Sequence, residues 1–319
     1  MRARMNPIAA TVRTGLIEST HPWSAVVVDA DGRTLHEWGD ADRPLYYRSS
    51  VKAFQATVSL ECGADPTPEA VAVMCSSHSG TPAHLALVQS MLQDAGLSET
   101  ALRCPADLPL GVESRAAALR NGYVKRPVFH NCSGKHAGFL AACAAQGWDV
   151  DTYLSPDHPL QQRVMSLIGE LTGIAGQPPG VDGCGAPTLR GSIRGLARGF
   201  AALSVDDRFA AVRTAISRYP ALTSGNDRPD GRLAMWWSGP SKGGAQGVLV
   251  GARDGVAIAT KSHGGAIAVA VQALIEVAER IGMLPAAAVA ALAEEHRPAV
   301  LGGGQPVGAV DTAAAEALA

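Results

Sequence analysis

The sequence predicts an α+β protein: one antiparallel sheet assembled from the two ends of the chain, flanked by helices, with a helical lobe built from the middle. Three observations predict it. Residues 24–38, SAVVVDADGRTLHEW, alternate apolar and polar residues around Asp31-Gly32 and read as a β-hairpin. Residues 247–261, GVLVGARDGVAIATK, repeat that pattern late in the chain, again with Asp-Gly between two apolar strands. Between the two hairpins the apolar residues recur mostly at helical spacing.

In chain order, the first hairpin leads into a helix that opens at Ser49, SSVKAFQATVSLEC, and ends near Gly63. The apolar run AVAVM then feeds a tight turn, CSSHSG, at 75–80. Helices are expected over 83–95, 134–146, 158–173, 189–203 and 206–218. After the second hairpin, 264–283 reads as a long Ala-rich helix, and 297–309, RPAVLGGGQPVGA, is the most loop-like stretch. The 319 residues, 47% hydrophobic, are ample for a sizeable core. We expect a single catalytic domain over 1–319, with a sheet lobe at about 12–62 and 228–319 and a helix-rich lobe at about 63–227.

Composition narrows the function. A net charge of −2 and 5% aromatic residues offer neither a basic stripe nor base-stacking platforms, which argues against nucleic acid. No stretch approaches the ~20 uncharged apolar residues of a membrane span, and the N-terminal MRARMNPIAATVRTG lacks an apolar run of signal-peptide length. The expectation is therefore a cytoplasmic protein acting on small molecules. Six cysteines, at 62, 75, 104, 132, 143 and 184, form no C-x-x-C pair and read as reduced thiols.

The chain carries 27 Lys and Arg residues, of which only Lys52, Lys125, Lys135, Lys242 and Lys261 are lysine. Arginine stays protonated, whereas burial or a neighbouring cation can lower a lysine toward neutrality, so lysine is the residue that can serve as a base. Ser49 and Lys52 stand three positions apart on one helical face, the spacing of a serine nucleophile and its base. CSSHSG can present Ser77 and His78 to a cleft, or simply cap the helix near Ala83. NCSGKHAG at 131–138 packs a thiol, hydroxyl, amine and imidazole together, with Gly134 permitting close backbone approach. VDGCG at 181–185 adds an acid and a second thiol. By residue type alone, Cys132, Cys184 and His136 are candidate zinc ligands. SGPSKGG at 238–244 places Lys242 in a glycine-flanked turn, either reaching a pocket from the sheet edge or lying on the surface.

Taken together, RSSVK, CSSHSG, NCSGKH, DGC and SKGG, in this order from about residue 12 to the C-terminus, resemble the rhizobial-type (class 3) L-asparaginases. The resemblance implies a serine β-lactamase- and glutaminase-like αβα sandwich, a homodimer, and two serine–lysine tandems, Ser49 with Lys52 and Ser77 with Lys242. It implies that Arg48, His136 and Asp182 hold or orient the substrate, and that Zn2+ near the site is bound by Cys132, Lys135 and Cys184, replacing His136 in the ligand set. A cysteine that some family members carry near the site, ahead of the last lysine, has no counterpart in DRPDGRLAM, 227–235, and Ala53 stands where a proline often follows the first lysine.

The expected reaction is hydrolysis of L-asparagine to L-aspartate and ammonia, with Ser49 activated by Lys52 and protons relayed by Ser77 and Lys242. S-x-x-K alone is shared with β-lactamases. A glutaminase or β-lactamase-like hydrolase of the same fold therefore competes with this reading, as does a non-catalytic zinc- or amino-acid-binding protein.

Overall fold

The computed structural model describes residues 7–174 and 176–312. Eight strands form one antiparallel sheet: β1 (Ile8–Arg13), β2 (Leu16–Val28), β3 (Thr34–Trp38), β4 (Ser241–Gly244), β5 (Val248–Arg253), β6 (Val256–Ser262), β7 (Ala299–Gly302) and β8 (Gln305–Asp311). Their order is β7-β8-β1-β2-β6-β5-β4, with β3 also paired to β2. The sheet is thus drawn from the two ends of the chain. Both Asp-Gly hairpins form, with Ala25 opposite Trp38 in the first and Val256 opposite Arg253 in the second.

Successive residues of a strand point to opposite faces of its sheet, and here each face has its own core. Ala25, Val27, Leu249 and Ile258 join Val271, Leu274 and Ile275 of a helix over Ile267–Arg280. Val26, Val28, Val250, Ala257 and Ala259 face the other way, onto Phe54, Leu196 and Phe200. The molecule is an αβα sandwich of the α+β class. No helix among the described residues is long and apolar enough to cross a membrane.

Helices that position the site come from the middle of the chain: α1 (Lys52–Glu61), α2 (Pro68–Met74), α3 (Pro82–Asp94) and α4 (Ser133–Gln146). Every residue of α1 from Lys52 to Ser59 is buried, so α1 runs through the interior and not along a surface. α4 crosses close over α2: a Cβ on Gly134 would lie 2.4 Å from the Val73 carbonyl oxygen and 2.6 Å from Val73 Cγ1. That is the close approach for which Gly134 is needed.

Two expectations are corrected. Residues 297–309 are not a loop but contain the β7–β8 hairpin, with Gly302 opposite Gln305. Gly303 and Gly304 form its two-residue turn at φ +57° and +79°, the left-handed conformation that hairpin turns require. The helix expected over 189–203 begins only at Ile193, because Arg190–Gly191 pairs with Leu45–Tyr46 and Ser192 caps the helix by accepting from the Gly195 N–H.

Candidate active site

The turn ahead of α1 is a 3-10 segment, Arg48–Val51, entered through Arg48 at φ +51°. A non-glycine residue there is uncommon, and such strain persists only where surrounding contacts hold it. Ser50 Oγ donates to the Tyr47 carbonyl at 2.6 Å. On the other side lies β4: a Cβ on Gly244 would sit 3.1 Å from the Tyr47 oxygen and 3.2 Å from the Ser50 nitrogen. The glycines of SKGG let the edge strand lie against the serine turn. Lys242 is thus in a strand and 1% exposed, not in a surface turn.

Ser77 brings the two lysines together. Lys52 Nζ donates to Ser77 Oγ at 3.0 Å, to Cys132 Sγ at 3.2 Å and to the Ser76 carbonyl. Lys242 Nζ lies 3.5 Å from the same Ser77 hydroxyl and donates to the Gly243 carbonyl at 2.8 Å. Burial, and then the neighbouring Lys52, push the Lys242 amine down to about 7. The Lys52–Ser49 hydrogen bond expected from spacing is not made: all three acceptors of Lys52 lie elsewhere. Among the described residues the half-buried Ser49 hydroxyl takes no hydrogen bond.

The loop after α2 holds Ser77 by its neighbours. Ser76 Oγ donates to the Val73 carbonyl at 2.7 Å, the His78 N–H to the Asn131 carbonyl at 3.1 Å, and Ser79 Oγ to Asp227 at 2.8 Å. His78 is fully buried, bonds Ser133 Oγ at 2.8 Å and stacks on His84, and burial takes it well below the usual histidine range. Capping of α3 falls to Thr81, not to Ser77 or His78.

Behind Lys52 lies the sulfur cluster. Lys135 Nζ donates to Cys184 Sγ at 3.0 Å. Cys184 is held far below the usual thiol range, first by a hydrogen bond from Cys132 and then by Lys135, against the effect of burial. The Cys132 thiol is raised correspondingly, by that bond and by burial. Burial works against the Lys135 ammonium, but Cys184 and Cys132 outweigh it and raise Lys135 above the usual lysine range.

A tetrahedral zinc with one nitrogen and one sulfur ligand holds those two atoms about 3.6 Å apart. The Lys135 amine and the Cys184 sulfur converge to 3.0 Å, somewhat closer than that. The set read from residue types does not assemble: among the described residues no three His, Cys, Asp or Glu side chains are placed to hold a metal. His136 instead directs Nδ1 to the Tyr153 hydroxyl at 2.6 Å, and burial lowers it to about 4. Asp182 lies in the turn of a short hairpin and pairs with Arg48, so the two expected substrate-holding charges of opposite sign stand together.

Sequence reasoning missed Tyr153, which fixes His136, and the buried Asp230 beside β4: a Cβ on Gly243 would lie 2.5 Å from Asp230 Oδ2. Their only signals are an unremarkable aromatic and an acid after a proline, which reads as a helix start. A separate groove of about 380 Å³, lined in part by Ala64, Pro66, Met91, Ala141 and Ala145, shares none of these residues.

A family model described as L-asparaginase II matches residues 9–312. No curated protein matches the chain. Similar solved structures include "Crystal Structure Analysis of Mglu", 16% identical with a TM-score of 0.39, covering 82% of this chain and 67% of the other. Another, "Crystal Structure Analysis of Mglu in its glutamate form", is 16% identical with a TM-score of 0.40, covering 82% of this chain and 61% of the other. The chain thus spans roughly two thirds of those chains, and so remote a likeness decides nothing about the site.

Proposed function

Because the chain belongs to the L-asparaginase II family, we propose that it hydrolyses the side-chain amide of L-asparagine to L-aspartate and ammonia through a serine acyl-enzyme. The observation that carries this reading is the run Lys52–Ser77–Lys242, two buried lysines sharing one buried hydroxyl.

Ser49 Oγ attacks the amide carbon. Its proton enters Lys52, which must first turn toward Ser49 from one of its present acceptors, as Lys52 passes one to Ser77 and Ser77 passes one to Lys242, whose amine, at about 7, is the place for it to rest. Collapse of the tetrahedral adduct returns the proton to the leaving ammonia and leaves a β-aspartyl ester, which water cleaves by the same route. Arg48 and Asp182 offer a cation and an anion matched to the carboxylate and ammonium of an amino acid. Cys132, Lys135 and Cys184 would hold Zn2+; when bound, the ion would keep both sulfurs deprotonated and Lys135 neutral, its charge cancelled by the two thiolates. His136, held by Tyr153, would help to orient the substrate. We take the chain as a single catalytic domain acting as a cytoplasmic homodimer, which light scattering of the purified protein tests.

Ammonia release from L-asparagine and L-glutamine, measured for the wild type beside Ser49→Ala, tests the reading. Asparagine-selective release lost in the variant supports it; release from glutamine alone, or nitrocefin turnover without ammonia, moves the chain to another substrate class. A second reading puts the acyl group on Ser77, favoured because both lysines reach Ser77 and neither bonds Ser49. Mass spectrometry of acid-quenched enzyme, locating the added aspartyl mass on one serine peptide, separates the two.

A further inference from the structure

The groove of about 380 Å³ that shares no catalytic residue is built from helix ends. α1 stops at Glu61, and the chain runs on into the groove wall as far as Asp65. α3 ends on Asp94, itself a wall residue, and Ala145 of the wall lies in the last turn of α4. Gly63, at φ +89°, lets two of these ends meet: a Cβ there would lie 3.1 Å from Ala145 Cβ. The floor is apolar, formed by the buried Met91 of α3 with Ala64 and Ala141.

A helix C-terminus carries roughly half a unit of negative charge on its last carbonyls, which a basic residue in the last turn ordinarily offsets. None of these three helices has a basic residue there. Asp65 and Asp94 add two carboxylates, both exposed and neither in an ion pair among the described residues; Asp94 accepts only from Ser90 Oγ at 3.3 Å. An aspartate closing a helix adds to the charge of that end and does not relieve it. Two arginines approach the end of α1, but Arg208 is spent on Glu61 and Arg163 on Cys62 Sγ. No lysine, arginine or histidine among the described residues lines the groove.

We propose that this groove binds a small aliphatic ammonium ligand, its hydrocarbon stem over Met91 and Ala141 and its charge answered by Asp65, Asp94 and the three helix ends. An uncharged apolar ligand leaves the carboxylates and carbonyls unanswered, and a bare cation makes no use of the floor. The volume lies at the small end of the range for small-molecule sites. α1 and α4 begin at Lys52 and Ser133, so the groove stands at their far ends, about 15 and 21 Å along the two helices. Binding there is separate from asparagine hydrolysis and does not depend on that reading.

The probe is 1,5-diaminopentane, titrated into protein labelled with 13C at the methionine methyl carbons. The chain has seven methionines, few enough to resolve, and Met91→Leu assigns the signal at the floor. We expect that signal to shift saturably, with a Kd of about 1 mM or below at low salt. Asp65→Asn and Asp94→Asn should each weaken binding about three- to tenfold, as should raising sodium chloride to about 0.5 M. Both aspartates are exposed, so neither substitution threatens the fold. Asp254→Asn, at the exposed tip of the β5–β6 hairpin, should leave the affinity unchanged, which separates this site from attraction by overall charge. Ala141→Leu, which fills the floor, should abolish the shift. The proposal is overturned by no saturable shift up to about 10 mM, by 1-pentanol binding as tightly as the diamine, or by Asp254→Asn weakening binding as much as the groove variants do.

Discussion

Lys242→Met should inactivate the protein and make it more stable at acid pH. Lys242 is 1% exposed, and burial with Lys52 lowers its amine from 10.5 to about 7. In the unfolded chain the amine keeps its ordinary affinity for protons. Below pH about 7 both states are protonated, and the folded state bears the whole cost of a buried charge, roughly 5 kcal/mol for that difference. Between about 7 and 10.5 the folded state has released the proton and the unfolded state has not. The unfolded state then binds more protons, so stability rises with pH across this window and the cost is gone above it.

Between pH 6 and pH 8.5 the wild type should gain roughly 2 kcal/mol from this group, a gain that Lys242→Met cannot show. Methionine has a similar volume and needs no partner, so the substitution leaves no large cavity, at the cost of the bond to the Gly243 carbonyl, about 1 kcal/mol. Denaturant titrations of both proteins at several pH values read the difference. A variant less stable than wild type at pH 6, or a difference that does not shrink as pH rises, refutes the reasoning.

Ser49→Ala should lower kcat for ammonia release by at least about a thousandfold, while Ser77→Ala lowers it by about a hundredfold or more by breaking the relay, the order reversing if Ser77 carries the acyl group. Gly134→Ala should cost roughly 2 kcal/mol in denaturant unfolding, because its Cβ meets the Val73 backbone at 2.4 Å; an unchanged midpoint would mean that α4 can slide on α2. Zinc content by plasma mass spectrometry should approach one ion per chain after dialysis against limiting zinc, and Cys184→Ser should lose it. Equal zinc in both proteins would remove Cys184 from the ligand set. Wild-type kcat/KM for asparagine should rise through a midpoint near pH 7 as Lys242 loses its proton; a flat profile from pH 5.5 to 8.5 would remove Lys242 as the proton acceptor.

What the sequence shows and what it hides divide along the range of the interaction. The two Asp-Gly hairpins are legible because the turn residues and the flanking alternation lie within 15 residues of one another. The β7–β8 hairpin obeys the same rule through Gly303-Gly304, yet the surrounding glycines and prolines have the composition of a loop, and only its pairing against β1 distinguishes it. At the site, S-x-x-K and NCSGKH are visible because their groups share one turn. Where the Lys52 amine ends is decided by α1 lying buried, which turns its side chain toward Ser77, 25 residues away, and not back to Ser49. Asp230 shows in the sequence only as an acid at a helix start, since its place beside β4 depends on a glycine in another element.

The scarcity of lysine then acquires a physical meaning that composition alone could only raise. Arginine carries the surface pairs, among them Arg194 with Asp42 and Arg208 with Glu61, where a permanent charge suffices. Lys52, Lys135 and Lys242 are 0%, 2% and 1% exposed and meet a hydroxyl, a thiol or both. A guanidinium in any of these places would keep its proton and could neither relay one nor bind a metal. Three of the five lysines are therefore buried where the proposed reaction and metal site call for a removable proton, and replacing any of them by arginine should keep the charge while abolishing the proposed chemistry.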